Sequence, residues 1–129
     1  MKKWVEVLPI LLILIMFTGC SVDEVIRVGT PFGDNGTEGV KFHNEMKDSE
    51  SIEALRKIID KVKEIEKPED LDKEPKIFFS LDIPKEGIAE IRLYVWYQDD
   101  GSSILYNDGS DSYFTLTKEQ TKELKSILE

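Results

Sequence analysis

Few residues in this chain are of a type that does covalent chemistry, and they narrow the choices at once. His43 is the only histidine and Cys20 the only cysteine. A zinc site draws on several His, Cys or carboxylate ligands, so a single histidine reads as a polar residue beside a strand rather than as a ligand. Nucleophilic catalysis by serine or cysteine needs a base held against the nucleophile. Here that base would have to be His43 or a lysine, and the chain has no Gly-x-Ser-x-Gly elbow. The residues therefore point to no catalytic side chain, no metal and no cofactor.

Carboxylates are the abundant ionisable groups. The chain holds 26 Asp and Glu against 17 Lys and Arg, a formal net charge of −9. Two carboxylates suffice for acid–base hydrolysis, which keeps a small carboxylate-based hydrolase as the alternative function, although no spacing selects the pair. A calcium loop would need D-x-[DN]-x-[DN]-G. The matching positions are Ile104, Tyr106 and Asp108 before Gly109, and Trp96, Gln98 and Asp100 before Gly101. Both Asp-Gly pairs read instead as hairpin turns. Gly33, Gly36 and Gly39 mark 30–39 as a flexible loop, without the Gly-Lys-Ser/Thr that opens a phosphate-cradling helix. The acidic balance disfavours nucleic acid as a partner, and it disfavours anionic lipid headgroups as a second membrane contact.

The amino terminus has its own grammar. Lys2 and Lys3 precede an unbroken apolar run of 11 residues over 7–17. A membrane-spanning helix takes about 20 apolar residues, and extension backwards meets Glu6. A cationic start, a short apolar run and small residues behind it are the layout of a signal peptide. Thr18 and Gly19 then lead into Cys20.

Phe17-Thr18-Gly19-Cys20 resembles the lipobox of bacterial lipoprotein precursors, with Phe17 where Leu is commonest. The resemblance implies that the Cys20 thiol takes a diacylglyceryl group and that cleavage falls between Gly19 and Cys20. Residues 1–19 would be the signal peptide, 20–24 a lipidated tether and 25–129 a single domain. The expected location is the outer face of the cell membrane, with the membrane as partner through the Cys20 lipid. Stable anchoring takes two acyl chains, and a diacylglyceryl group supplies both. Without Lys2, Lys3 and Glu6 the balance becomes 15 basic against 25 acidic residues, or −10.

The elements beyond the tether follow from periodicity. Val25, Ile26 and Val28 suggest a first strand, and 40–46 a second. Ile52, Leu55, Ile58, Ile59, Val62 and Ile65 recur at helical spacing, predicting a helix over 49–66 capped by Asp48 or Ser49. Period two then takes over in 77–83 and 88–98, followed by short strands at 103–107 and 113–116. Thr117 and Gln120 have the capping-box form ahead of a last helix to about 128. The expected fold is α+β: an antiparallel sheet of five to six strands, ending in a meander, with two helices packed on one face.

In the long strand 88–98 the odd positions Ala89, Ile91, Leu93, Val95 and Tyr97 read as the core face. Tyr94 and Trp96 then stand on the outer side with Glu90 and Arg92, beside Ile104 or Tyr106 of the neighbouring strand. Aromatics rimmed by charge suit a protein or glycan contact, so Tyr94, Trp96 and Arg92 are candidate partner-contact residues. The competing arrangement is a minor second core, covered by loops or Phe78.

The capped helix with its Ile52 to Ile65 stripe, Tyr94-Val95-Trp96, the strand ending Tyr113-Phe114-Thr115-Leu116 and a helix through Leu124 and Leu128 resemble the YhfM-like small lipoproteins of Bacillus-type bacteria. That resemblance spans about 40–129 and implies a lipid-anchored domain in a Gram-positive cell. It carries no activity and no catalytic residue. The function expected is a membrane-anchored extracytoplasmic binding or interaction module, with an envelope protein or glycan as candidate partner.

Overall fold

The computed structural model describes residues 24–34, 37–71 and 74–129. The expected signal peptide, with Gly19 and Cys20, and the expected tether up to Asp23 lie outside the described residues. The elements in chain order are β1 (Val25–Asp34), β2 (Thr37–Met46), α1 (Ser49–Ile59), β3 (Lys63–Ile65), β4 (Ile77–Ile83), β5 (Ile88–Tyr97), β6 (Ser103–Asn107), β7 (Ser112–Leu116) and α2 (Lys118–Leu128). One sheet takes all the strands in the order β2-β1-β4-β5-β6-β7-β3, and every pairing is antiparallel. The class is α+β as expected, with a seven-stranded sheet in place of five to six strands.

The extra strand comes out of the expected helix. Asp48 caps α1 through a hydrogen bond accepted from the Ser51 N–H at 2.9 Å, but the helix ends at Ile59 instead of near 66. Ile58, Ile59, Val62 and Ile65 are all β-branched and stiff at χ1, so the same apolar spacing also suits a strand. Lys63–Ile65 pairs with Tyr113–Thr115 of β7, supplying partners to an edge that a longer helix would leave bare.

Residues 30–39, expected as a flexible loop, are largely strand. β1 and β2 stay paired from Thr30 opposite Lys41 to Gly33 opposite Glu38. Pairing of β1 with β4 stops at Gly29, so the far half of the hairpin is a two-stranded arm. Pro31 falls in that arm, where β1 has a neighbour on one side only and a missing N–H is tolerated. His43 is the extra residue of a β-bulge, since Asn44 faces Val28 and Phe42 faces Gly29. It is exposed there.

The core joins both helices to the sheet. Ile52, Leu55 and Ile58 of α1 and Leu124 and Leu128 of α2 form one hydrophobic cluster with Ile26, Val28, Phe79, Leu81, Leu93, Val95, Leu105 and Leu116. Each such side chain contributes about 1.5–3 kcal/mol by leaving water. Within this core the Ser103 and Thr121 hydroxyls meet at 2.7 Å, tying β6 to α2. The capping box of α2 is complete: the Thr117 hydroxyl accepts from the Gln120 N–H, and the Gln120 side chain accepts from the Thr117 N–H. Among the described residues no helix is long and apolar enough to cross a membrane.

Candidate functional site

Successive residues of a strand point to opposite faces, and directly paired residues share one. Phe79 belongs to the core cluster, so Phe78 belongs to the other face. The pairing carries that face straight across the sheet. Phe42 lies opposite Gly29, Gly29 opposite Phe78, Phe78 opposite Tyr94, Tyr94 opposite Tyr106, Tyr106 opposite Tyr113 and Tyr113 opposite Ile65. One row therefore crosses all seven strands, aromatic everywhere except at Gly29 and Ile65. Ring centroids along it are 6.0 Å for Phe42–Phe78, 4.9 Å for Phe78–Tyr94, 6.4 Å for Tyr94–Tyr106 and 4.6 Å for Tyr106–Tyr113. These are edge-on and tilted contacts of the favourable kind.

Glycine at position 29 is a requirement of this row. A Cβ there would lie 2.5 Å from Val40 Cγ1 and 2.8 Å from the Lys41 carbonyl oxygen. The close approach of β2 is what lets Phe42 reach across β1 to Phe78.

Above the row runs a groove of about 550 Å³. One wall is the hairpin arm, through Pro31, Phe32, Gly33 and Gly39. A second is the segment ahead of β4, through Glu74 and Pro75. The floor is Tyr94, Trp96, Tyr106 and Tyr113, with Asp108 at its side. The size is that of a small-molecule site.

The three candidate contact residues occupy this face in different ways. Tyr94 is half-buried and Trp96 is 8% exposed, and both line the groove. Tyr94 pairs with Tyr106 and Trp96 with Ile104, the neighbours expected for them. Phe78, only 2% exposed, makes this side a second apolar layer, so Trp96 forms part of a covered floor rather than an open patch. Arg92 is exposed, with its guanidinium 5.7 Å from the Phe78 centroid and Nη2 4.0 Å from Asp108 Oδ2.

Glu90 leaves this group. Ile83 pairs with Ile88 and Asp82 with Ala89, but Leu81 pairs with Ile91, so Glu90 is an unpaired bulge residue. Its carboxylate takes both arms of Arg56 on α1, Nη1 to Oε1 and Nη2 to Oε2, each at 2.8 Å. Glu24, just ahead of β1, also accepts from Arg56 Nη2. Hydrogen bonds donated to Glu90 and then to Glu24 push the Arg56 pKa up, and accepting from Arg56 holds Glu90 below the usual range. The bulge thus turns Glu90 away from the aromatic row, contrary to the simple alternation.

The carboxylates whose ionisation is shifted are structural. Asp48 is lowered by its cap to Ser51, and Asp100 by its bonds to Ser102 in the β5–β6 turn. Tyr106 is raised, first by donating its hydroxyl to Asp111 Oδ1 at 2.9 Å. Among the described residues no group of three or more His, Cys, Asp and Glu side chains is placed to hold a metal ion. Phe32, Glu74, Asp108 and Tyr113 are not selectable as site residues without strand register, because the groove joins segments far apart in sequence.

No protein-family model matches the chain, and no curated protein does. Among solved structures it is similar to a thioesterase-like protein from Clostridium sporogenes. The TM-score is 0.58 over 83% of this chain and 94% of that one, at 21% identity. A likeness at that identity establishes a shared fold and leaves the chemistry to the site.

Proposed function

We propose that the protein is an extracytoplasmic lipoprotein, held at the outer face of the cell membrane by a diacylglyceryl group on Cys20, whose domain is a small ligand-binding module. The anchor reading is supported by Lys2-Lys3, the apolar run over 7–17 and Thr18-Gly19-Cys20. The observation that carries the binding reading is the groove of about 550 Å³ between the hairpin arm and the aromatic row. Both helices pack, on this reading, against the opposite face of the sheet and leave the row to the ligand. The single cluster that Ile52, Leu55, Ile58, Leu124 and Leu128 form with Phe79 and Val95 supports that division. The aromatic floor suits an envelope glycan or protein segment as well as a smaller ligand, and the net charge of −9 argues against nucleic acid.

Two experiments test the two halves. Mass spectrometry of the membrane-bound protein is expected to find a mature chain beginning at lipid-modified Cys20. An unmodified thiol or an intact leader overturns the anchor. In-cell crosslinking compares the native chain with Tyr94→Ala/Trp96→Ala and with Tyr113→Ala, and loss of the same captured partner in both variants is expected. An unchanged set of partners removes the groove as the binding surface.

A second reading has one specific observation behind it. Glu74 and Asp108 line the same groove, giving a carboxylate-based hydrolase its two groups, and the solved neighbour is thioesterase-like. Turnover of an acyl thioester by the purified chain, abolished by Glu74→Gln or Asp108→Asn, is its signature. Turnover that survives both substitutions excludes it.

A further inference from the structure

We infer that the end of the domain at the β4–β5 turn rests on the bilayer that carries the anchor, seating Pro84 and Ile88 at the lipid interface and turning the hairpin arm outward. The inference rests on the Cys20 anchor reading and adds to it the orientation of the domain. Covalent reach sets the first constraint. Cys20 precedes Glu24 by four residues, which span at most about 14 Å when fully extended, so an acylated Cys20 keeps the start of β1 close to the lipid. Strand register fixes what else lies at that end. Val25 pairs with Asp82 and Asp82 with Ala89, which puts Ala89 two strand spacings, about 10 Å, from Val25. The Ile83–Ile88 pair and the turn through Pro84 and Gly87 follow that row, so the β4–β5 hairpin extends past the first residue of β1.

The surface of this end suits a lipid interface. Ile88 is 51% exposed, a large apolar side chain that the fold leaves in water, and Pro84, Gly87 and Ala89 beside it are exposed as well. Apolar groups gathered on one exposed tip mark a contact site, and the short reach from Cys20 makes the bilayer its occupant. Charge points the same way. The chain carries a net −9, yet Glu45 and Asp82 at this end each lie 3.4 Å from Arg27, and Glu24 and Glu90 share Arg56. Carboxylates that would hold this end off a headgroup layer are thus paired inside the domain. Lys85, exposed in the turn, lays its methylenes along such a surface while its ammonium stays in water. The arm lies at the other end. Its groove wall begins at Pro31, six residues beyond Val25 and about 20 Å along the strand.

The test places an environment-sensitive fluorophore on single cysteines of the membrane-purified chain, reconstituted into phosphatidylcholine vesicles. Acylation occupies the Cys20 sulfur, the only one from cysteine in the native chain, so Ile88→Cys, Lys85→Cys and Lys41→Cys each present one reactive thiol. Mass spectrometry of the same samples reads the state of Cys20. Labels at 85 and 88 are both expected to lose fluorescence when the vesicles include lipid with a nitroxide near the head of its acyl chain. A label at 41, an exposed position on the arm, should keep its fluorescence. A label at 85 or 88 that is not quenched would place this end clear of the lipid, and equal quenching at 41 would mean that the domain lies flat. Either result, with Cys20 acylated, overturns the orientation and leaves the anchor standing. An unmodified Cys20 thiol removes both.

Discussion

Arg56 on α1 and Glu90 in the β5 bulge are joined by two parallel hydrogen bonds of 2.8 Å, with Glu24 sharing the same guanidinium. The group links the start of β1, the first helix and β5 at one point. Both side chains remain partly exposed, 37% and 40%, so solvent screens them and the pair is worth about 0.5–1 kcal/mol. Glu90→Gln is expected to lower unfolding free energy by that amount at neutral pH. The folded-state pKa of Glu90 is depressed, so its contribution is present above the unfolded value of about 4.3 and fades as pH falls through the lower folded one. Urea titrations at pH 7 and at about pH 3 should show a gap between native and variant that closes in acid. A gap that persists unchanged would mean the charge of Glu90 is not what stabilises the bulge.

That bulge also marks where the sequence stops being readable. Leu81, Leu93 and Val95 are recognisable as core by alternation alone, and all are odd-numbered. The turn between the strands starts by placing Ile83 against Ile88, which sets odd residues opposite even ones. Both conditions hold only if one residue is skipped, and Glu90 is that residue. The capping box at Thr117, the Asp-Gly turn at Gly101 and the β6 and α2 elements were legible because each is decided within a few residues. The β3 strand was not, because Val62 and Ile65 fit both periods and the β7 edge decided between them. The arm over 30–39 was hidden in the same way, its glycines suggesting a loop while Phe32, Val40 and Phe42 supplied strand chemistry. Cys20 is the reverse case, a residue whose proposed lipid attachment rests entirely on its neighbours in sequence.

Gly29 should tolerate no side chain. An added methyl meets Val40 Cγ1 at 2.5 Å and the Lys41 backbone oxygen at 2.8 Å, and a backbone atom cannot turn aside as a side chain can. Gly29→Ala is expected to cost about 1–3 kcal/mol by overpacking and to loosen the Phe42–Phe78 contact. Urea unfolding measures the first, and the exposure of Phe42 to hydrogen–deuterium exchange of its strand measures the second. An unchanged midpoint would show that β2 moves away freely.

The Ser103–Thr121 hydroxyl pair predicts a non-additive result. Both residues are buried, at 0% and 1% exposure, so removing one hydroxyl strands the other. Thr121→Val alone should cost about 1–3 kcal/mol. Ser103→Ala combined with Thr121→Val should cost less than the two singles together, by about 1 kcal/mol of coupling. Additive losses would mean that one of the hydroxyls finds another partner.

Tyr97 predicts alkaline sensitivity. Its hydroxyl is buried without a hydrogen-bond partner among the described residues. Burial, and then the charge of Glu129, push its pKa up to about 12. The unfolded phenol ionises near pH 10, so the unfolded state gives up its proton first and stability falls as pH rises from about 10 to 12. Tyr97→Phe removes both the unpartnered hydroxyl and this loss. The variant should be at least as stable as the native chain at neutral pH, and its stability should fall less between pH 10 and 12. Equal alkaline curves would place the Tyr97 hydroxyl in water.

Gly39 provides the contrast with Gly29 and the cleanest probe of the groove. A methyl at Gly39 would lie 2.9 Å from Phe32 Cζ and 3.2 Å from Phe32 Cε1. The obstacle is the far end of a side chain that is 46% exposed, so the ring can move where the Lys41 backbone cannot. Gly39→Ala is therefore expected to change stability by less than about 0.5 kcal/mol, as a surface substitution does. Yet Phe32 and Gly39 together form the arm wall of the groove, and a displaced ring changes the width available to an occupant. The yield of the partner captured by in-cell crosslinking should change while the urea midpoint stays in place. Unaltered capture would show that the arm does not contact the ligand, leaving the floor of Tyr94, Trp96, Tyr106 and Tyr113 with Glu74, Pro75 and Asp108 as the site.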